Sequence, residues 1–210
     1  MAKQSVNVVI RKWITLNVYK YGRVMKPTQG HHLILGELVD FITGKTIPDT
    51  HDERYRQKMA RLLVEDKGYF KKEIESGCGI LIKAENKQAM VKIDFKVTLS
   101  GRIGMIIKYG PGSLVTRRRP AIGLSRLASS YQVPIAVVTN GEDAEIVDAA
   151  TGKIISSGLV SIPNKSQLIE IIKQAPYNRI SPRQAEMESR VVYAFEIDGS
   201  CPCDDTICRL

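Results

Sequence analysis

The sequence lacks any apolar run approaching the roughly 18 residues that a membrane-spanning helix needs. It has no internal repeat and no low-complexity tract, and its opening MAKQSVNVVIRKW holds nothing like the apolar core of a signal peptide. A cytoplasmic protein without membrane contact is therefore expected. The full G-x4-G-K-[ST] motif is also missing, which excludes a Walker A nucleotide site. Cysteine is scarce and unevenly placed. Cys78 stands alone, while Cys201, Cys203 and Cys208 crowd the last ten residues. That is not the dispersed, even pattern of a secreted disulfide framework. It suits a reducing compartment and a tail that is either a metal or redox ligand set or a floppy end with reactive thiols.

What is present fits an ordinary globular protein. Of 210 residues, 43% are hydrophobic and 25% charged, enough for one domain with extra elements at each end. The formal net charge is +9. A basic surface is either simply solvated or made for a polyanion, since lysines and arginines that neutralise phosphates release their counterions. The charge is dense at residues 53–72, which hold seven Lys or Arg, and at Arg117–Arg119.

Hydrophobic spacing gives a sequence of elements. Val6–Val18 reads as one or two strands with a turn at Tyr21–Arg23. LILGELVDFI at 33–42 reads as a short apolar helix closed by Gly44. A longer helix follows, capped by Thr50 or Asp52 and ended by Gly68. Strands are expected at Gly79–Lys83, Val91–Thr98 and Ile103–Tyr109. In VKIDFKV, Val91, Ile93, Phe95 and Val97 share one face, and Lys92, Asp94 and Lys96 the other. Pro120 suits the first turn of a helix reaching Tyr131. Strand Val133–Thr139, a hairpin around Thr151-Gly152, a helix at 166–174, a helix opening at Ser181-Pro182 and a strand at 191–195 complete the reading. A crossover helix between strands implies an α/β fold, with a mixed central sheet flanked by helices.

The order HDERYRQKMARLLVEDKGY, VKID, SGRIGMIIKYGP and VPIAVVTNGEDAEIVDAATGK resembles the N-terminal domain of type I restriction enzyme R subunits, of the PD-(D/E)xK nuclease superfamily. The resemblance spans residues 51 to about 160. It implies a restriction-endonuclease-like domain at 51–163, an N-terminal extension at 1–50 and a C-terminal extension at 164–210 with the cysteine tail. R subunits join this domain to a helicase motor, for which this chain has no room. The family's fold holds Mg²⁺ between a helix Glu, a strand Asp and a second strand acid, with a lysine two residues after that acid, to stabilise the charge of phosphodiester hydrolysis.

Residue by residue, Glu53 stands at the helix Glu and Asp94 at the strand Asp. Lys108 then stands where the second acid belongs, and Gly110 where the lysine belongs. A two-residue slip keeps Lys108 as the family lysine but puts Ile106 in the acid's place. Glu73, Glu75 and Glu85 are candidates for a migrated acid. Lys92, Lys96, Lys108 and Arg117, Arg118 and Arg119 are candidates to line the cleft as a phosphate-binding surface. An arginine triplet just ahead of a helix would be relieved by an anion. The loop Tyr109–Ser113 adds backbone N–H groups, or else is a tight connection. At the C-terminus, Cys201, Cys203 and Cys208 offer three soft ligands for zinc or an iron–sulfur cluster, with Asp204, Asp205 or a partner's cysteine completing the set. His31-His32 is read as loop polarity. Three functions follow: a nucleic-acid-binding relative with impaired cleavage, DNA favoured; an active Mg²⁺-dependent endonuclease; and a non-catalytic subunit that grips a partner protein or a second copy.

Overall fold

The computed structural model describes residues 34–198 and the short strand Cys208–Arg209. The strands read at residues 6–18, the turn at 21–23, the His31-His32 pair, Cys201 and Cys203 lie outside the described residues, and Cys208 is described only as backbone.

The apolar run expected as a helix at 33–42 is instead a hairpin. Strand β1, Glu37–Val39, pairs antiparallel with β2, Thr46–Pro48. The turn chemistry wins over the apolar spacing. Asp40 accepts from both the N–H and the hydroxyl of Thr43 at 2.6 Å, and its own N–H reaches the Lys45 carbonyl. Gly36 and Gly44 take φ values of +140° and +72° that a helix does not allow. Gln57 ties the hairpin to the next helix: it accepts from the Phe41 N–H and donates to Asp40. Burial opposes the Asp40 carboxylate, but the hydrogen bonds from Thr43 and Gln57 outweigh it and hold its pKa below the ordinary value.

Helix α1, His51–Arg61, starts where the sequence says. Thr50 accepts from the Glu53 N–H at 3.1 Å, and Asp52 and Glu53 lie in the first turn, where the helix dipole favours them. The helix widens into a π turn, Leu62–Asp66, and ends before Gly68 at φ +76°.

Six strands follow in the order β3 Ile74–Ala84, β4 Lys87–Leu99, β5 Arg102–Tyr109, β6 Ile135–Thr139, β7 Ala144–Asp148 and β8 Ile154–Ser157, with β9, Cys208–Arg209, beside the outer part of β4. Among the described residues, only β5 and β6 pair in parallel. Between them crosses helix α2, Leu114–Leu127. This is the mixed α/β sheet that the sequence implied.

Neighbouring residues serve opposite faces. Met105 and Ile107, Ile135 and Val137, and Ile146 join one core with Met59, Ala60 and Leu63 of the α1 region and with Leu168 and Ile172 of helix α3, Lys165–Gln174. Ile106, Ala136 and Val147 join the other, under Ile122 and Leu124 of α2 and Val192 and Tyr193 of helix α4, Pro182–Tyr193. The β3–β4 ribbon departs from this rule. Phe95, Val97 and Leu99 belong to the first core, but Ala89, Val91 and Ile93, of the same parity, belong to the second. The change falls between the pairs Ser76↔Phe95 and Cys78↔Ile93. Gly77 sits there at φ +63°, so the ribbon turns over at the position of Asp94.

Two further expectations are corrected. Pro120 does not open α2; it lies inside it, because Gly112 at φ +85° and extended Ser113 deliver the chain into a helix at Leu114. The three arginines therefore occupy the second turn instead of preceding the helix. The VVYAF stretch is not a strand. Its valines lie in α4, and the chain continues as a π turn, Ala194–Asp198. The β propensity of two valines yields to packing. Val192 approaches α2 so closely that a Cβ on Gly123 would lie 2.7 Å from its Cγ2.

Glu188, one turn earlier and 3% exposed, receives Arg119 and Arg126 at 2.5 Å each. Replacing Glu188 with Ala leaves the largely buried Arg126 without its carboxylate. A loss of about 3 kcal/mol in unfolding free energy is expected by urea denaturation; a change below about 1 kcal/mol would show that this triad does not hold α2 to α4.

Candidate functional site

Asp94 is 3% exposed, and a buried carboxylate needs partners for its charge. It has two. Oδ2 accepts from the Tyr109 N–H at 2.8 Å, and Oδ1 from Arg56 Nε at 2.7 Å. Arg56 also donates through Nη1 to Glu53 Oε2 at 3.3 Å, while Glu53 Oε1 accepts from Gln57 at 2.9 Å. Glu53, Arg56 and Gln57 lie on one face of α1, at i, i+3 and i+4. The structure thus brings Glu53 and Asp94 together, with a guanidinium between them. Burial opposes the charge on Arg56, but Asp94 and then Glu53 outweigh it and raise its pKa above the usual arginine value.

Lys108 does not meet Asp94 in an ion pair. The two occupy the positions just beyond the last paired residues of β4 and β5, Phe95 and Ile107. Lys108 Nζ instead donates to the Lys92 carbonyl at 2.9 Å and pairs with Glu196 at 2.8 Å. Both side chains of that pair are 10% exposed. Glu196 comes from the π turn after α4, outside the region of resemblance. Sequence reasoning missed it because 191–195 was read as a strand; helical spacing through Glu188, Val192 and Glu196 was the available signal. None of Glu73, Glu75 and Glu85 stands in this pair: Glu73 holds Lys165, Glu75 holds Lys96 and Glu85 lies 3.7 Å from Arg190.

Gly110 is a place of close approach. A Cβ there would fall 2.3 Å from Arg117 Nε and 2.5 Å from its Cζ. The Arg117 guanidinium thus fills the space in which a side chain at position 110 would begin. Arg118 makes a two-pronged pair with Glu145 at 2.7 and 2.8 Å, and Arg119 is taken by Glu188. Among the described residues, Arg117 and Lys92 have no carboxylate in ion-pair range. Burial and then the positive charge of Arg56 lower the Lys92 pKa, against Asp94 and Glu53. The Gly-rich loop offers less than expected, since the Gly110 N–H is bonded to the Thr139 carbonyl.

Tyr109 closes the site over α1. Its hydroxyl donates to Asp52 at 3.0 Å, Arg56 lies 5.2 Å from its ring centre and Tyr55 stacks on it at 6.0 Å. Burial and then Asp52 push the phenol above its ordinary pKa.

A family model described as the type I restriction enzyme R protein N terminus matches residues 51–163. The chain belongs to this family. No curated protein and no solved structure matches it. The match runs from the first residue of α1 to Pro163, so Glu53, Asp94, Lys108 and Arg117 lie within it and Glu188 and Glu196 beyond it. Among the described residues no helix is long and apolar enough to cross a membrane.

The donor set, as arranged, does not fit the divalent cation that the family's fold uses. All four carboxylate oxygens of Glu53 and Asp94 accept hydrogen bonds, two of them from a guanidinium. Lys108, also buried here, brings a further positive charge and no carboxylate. A metal ion would have to displace Arg56.

Replacing Arg56 with Met removes the only cation paired with Asp94 among the described residues. A destabilisation of about 3 kcal/mol is expected in urea unfolding. The double variant Arg56→Met/Asp94→Asn should recover at least about 1 kcal/mol relative to additivity; additive losses would mean that the pair is not coupled.

Proposed function

We propose that the chain is a nucleic-acid-binding domain of the restriction enzyme R-subunit family in which metal-dependent phosphodiester cleavage has been lost, with DNA the favoured polymer. The observation that carries this reading is Arg56 held between Glu53 and Asp94. A fixed guanidinium supplies the positive charge that a metal ion would otherwise bring, but it cannot lower the pKa of a bound water or accept an oxygen into a coordination shell.

Binding is supported by the two cations left over at the site. Arg117 presents a planar fork suited to phosphate oxygens. Lys92 is a half-buried amine whose charged form is disfavoured, so an arriving phosphate would stabilise it. The sequence adds a long-range contribution: residues 1–33 contain six Lys or Arg and no Asp or Glu, which draws a polyanion towards the chain.

Two measurements test the reading. Supercoiled plasmid incubated with the protein and Mg²⁺ or Mn²⁺ should remain uncut; cleavage that is abolished by Asp94→Ala would overturn the loss of activity. Fluorescence anisotropy with labelled duplex DNA should show affinity falling as salt rises, and Arg117→Ala should flatten the log–log slope by about 0.9, the share of one phosphate contact. Binding that is indifferent to salt would rule out phosphate neutralisation.

A further inference from the structure

A second surface lies at the other end of α1 from Glu53. Tyr69 and Phe70 follow Gly68 and part company. Tyr69 is 1% exposed and its hydroxyl donates to the Pro163 carbonyl at 2.8 Å, whereas Phe70 is 58% exposed. The Phe70 ring is held outward by a fixed backbone. Its N–H donates to Glu73 Oε2 at 2.9 Å, and Lys71–Glu73 form a single 3-10 turn. Cations surround it: Lys165 Nζ lies 3.7 Å and Lys72 Nζ 5.7 Å from the ring centre. Lys71, the residue after Phe70, reaches to Phe41 at the hairpin turn, with its Nζ 3.9 Å from that ring centre and Arg61 at 4.6 Å. Acids answer part of this charge, since Glu73 pairs with Lys165 and Glu65 lies 3.7 Å from Arg61. Lys71 and Lys72 have no carboxylate in ion-pair range among the described residues.

We propose that the Phe41–Phe70 surface binds single-stranded nucleic acid, with unpaired bases stacking on Phe70 and phosphates contacting Lys71 and Lys72. The proposal rests on the nucleic-acid reading above and adds a surface distinct from the Asp94 site. Exposing a phenylalanine is unfavourable by itself, and the core does not require it, because Tyr69 fills the neighbouring buried place. An aromatic ring flanked by free lysines matches the two faces of a single strand, its apolar bases and its charged backbone. Duplex DNA keeps its bases stacked on one another and offers the ring nothing comparable. This placement uses Arg61, Lys71 and Lys72 of the seven basic residues at 53–72, of which the Asp94 site uses only Arg56.

The test uses the full chain and fluorescein-labelled mixed-sequence 20-mers as single-stranded DNA, single-stranded RNA and duplex DNA. Phe70→Ala should weaken single-strand binding about tenfold and leave duplex binding within about twofold. Lys71→Ala/Lys72→Ala should flatten the single-strand salt slope by about 1.4. Thermal unfolding of both variants should match the wild type, since these side chains are exposed. Unchanged single-strand affinity in Phe70→Ala, while the wild type binds and Arg117→Ala flattens the duplex salt slope as expected, would overturn this surface and leave the proposed function standing. A wild type that binds none of the three oligonucleotides, or binds only anionic vesicles of phosphatidylserine and phosphatidylcholine, would overturn both.

Discussion

Asp94 cannot be buried alone. An uncompensated carboxylate in a protein interior costs several kcal/mol, and the surroundings of Asp94 follow from that requirement. It lies where the β3–β4 ribbon turns over at Gly77, so it belongs to neither apolar face. The Tyr109 N–H and Arg56 are what make this position tolerable. Arg56 in turn fixes the rotation of α1, because the same face of the helix must reach Asp94 with Arg56 and the hairpin with Gln57. The hairpin turn, the helix and the two central strands are thereby tied through one chain of charged hydrogen bonds.

The second network has the same logic on the other side of the sheet. Lys108 is buried and is answered by Glu196, while Arg119 and Arg126 converge on Glu188. Both acids come from α4 and the turn that follows it, beyond the matched family region. The C-terminal extension is therefore part of the site's electrostatics as well as part of the core, through Val192, Tyr193 and Ile197. The desolvation of such pairs offsets much of their attraction, whereas removing one partner leaves an uncompensated buried charge.

Much of this was legible in the sequence, for identifiable reasons. Thr50 with acids in the following turn is a strong start signal, and α1 begins there. Ser100-Gly101, both at positive φ, marks the hairpin between β4 and β5. Asp94 is conspicuous as an acid in an apolar strand. What failed was local spacing without its turn chemistry. The run at 33–42 has helical spacing, but Asp40 with Thr43 makes a turn that the spacing does not encode. The valines at 191–192 look like a strand until Glu188 and Glu196 are seen as turns of one helix. The partner of Asp94 was hidden because an arginine three residues after Glu53 looks like a surface ion pair; only the tertiary fold carries it to β4.

Arg117 resting against Gly110 restricts what the pocket can accept. Any side chain at position 110 would drive its Cβ into the guanidinium, and an acid at position 108 would place like charge beside Glu196. Either substitution is penalised unless another residue changes first. The packing therefore couples positions 108, 110, 117 and 196, so that single substitutions in this pocket are resisted by its neighbours and paired ones are not.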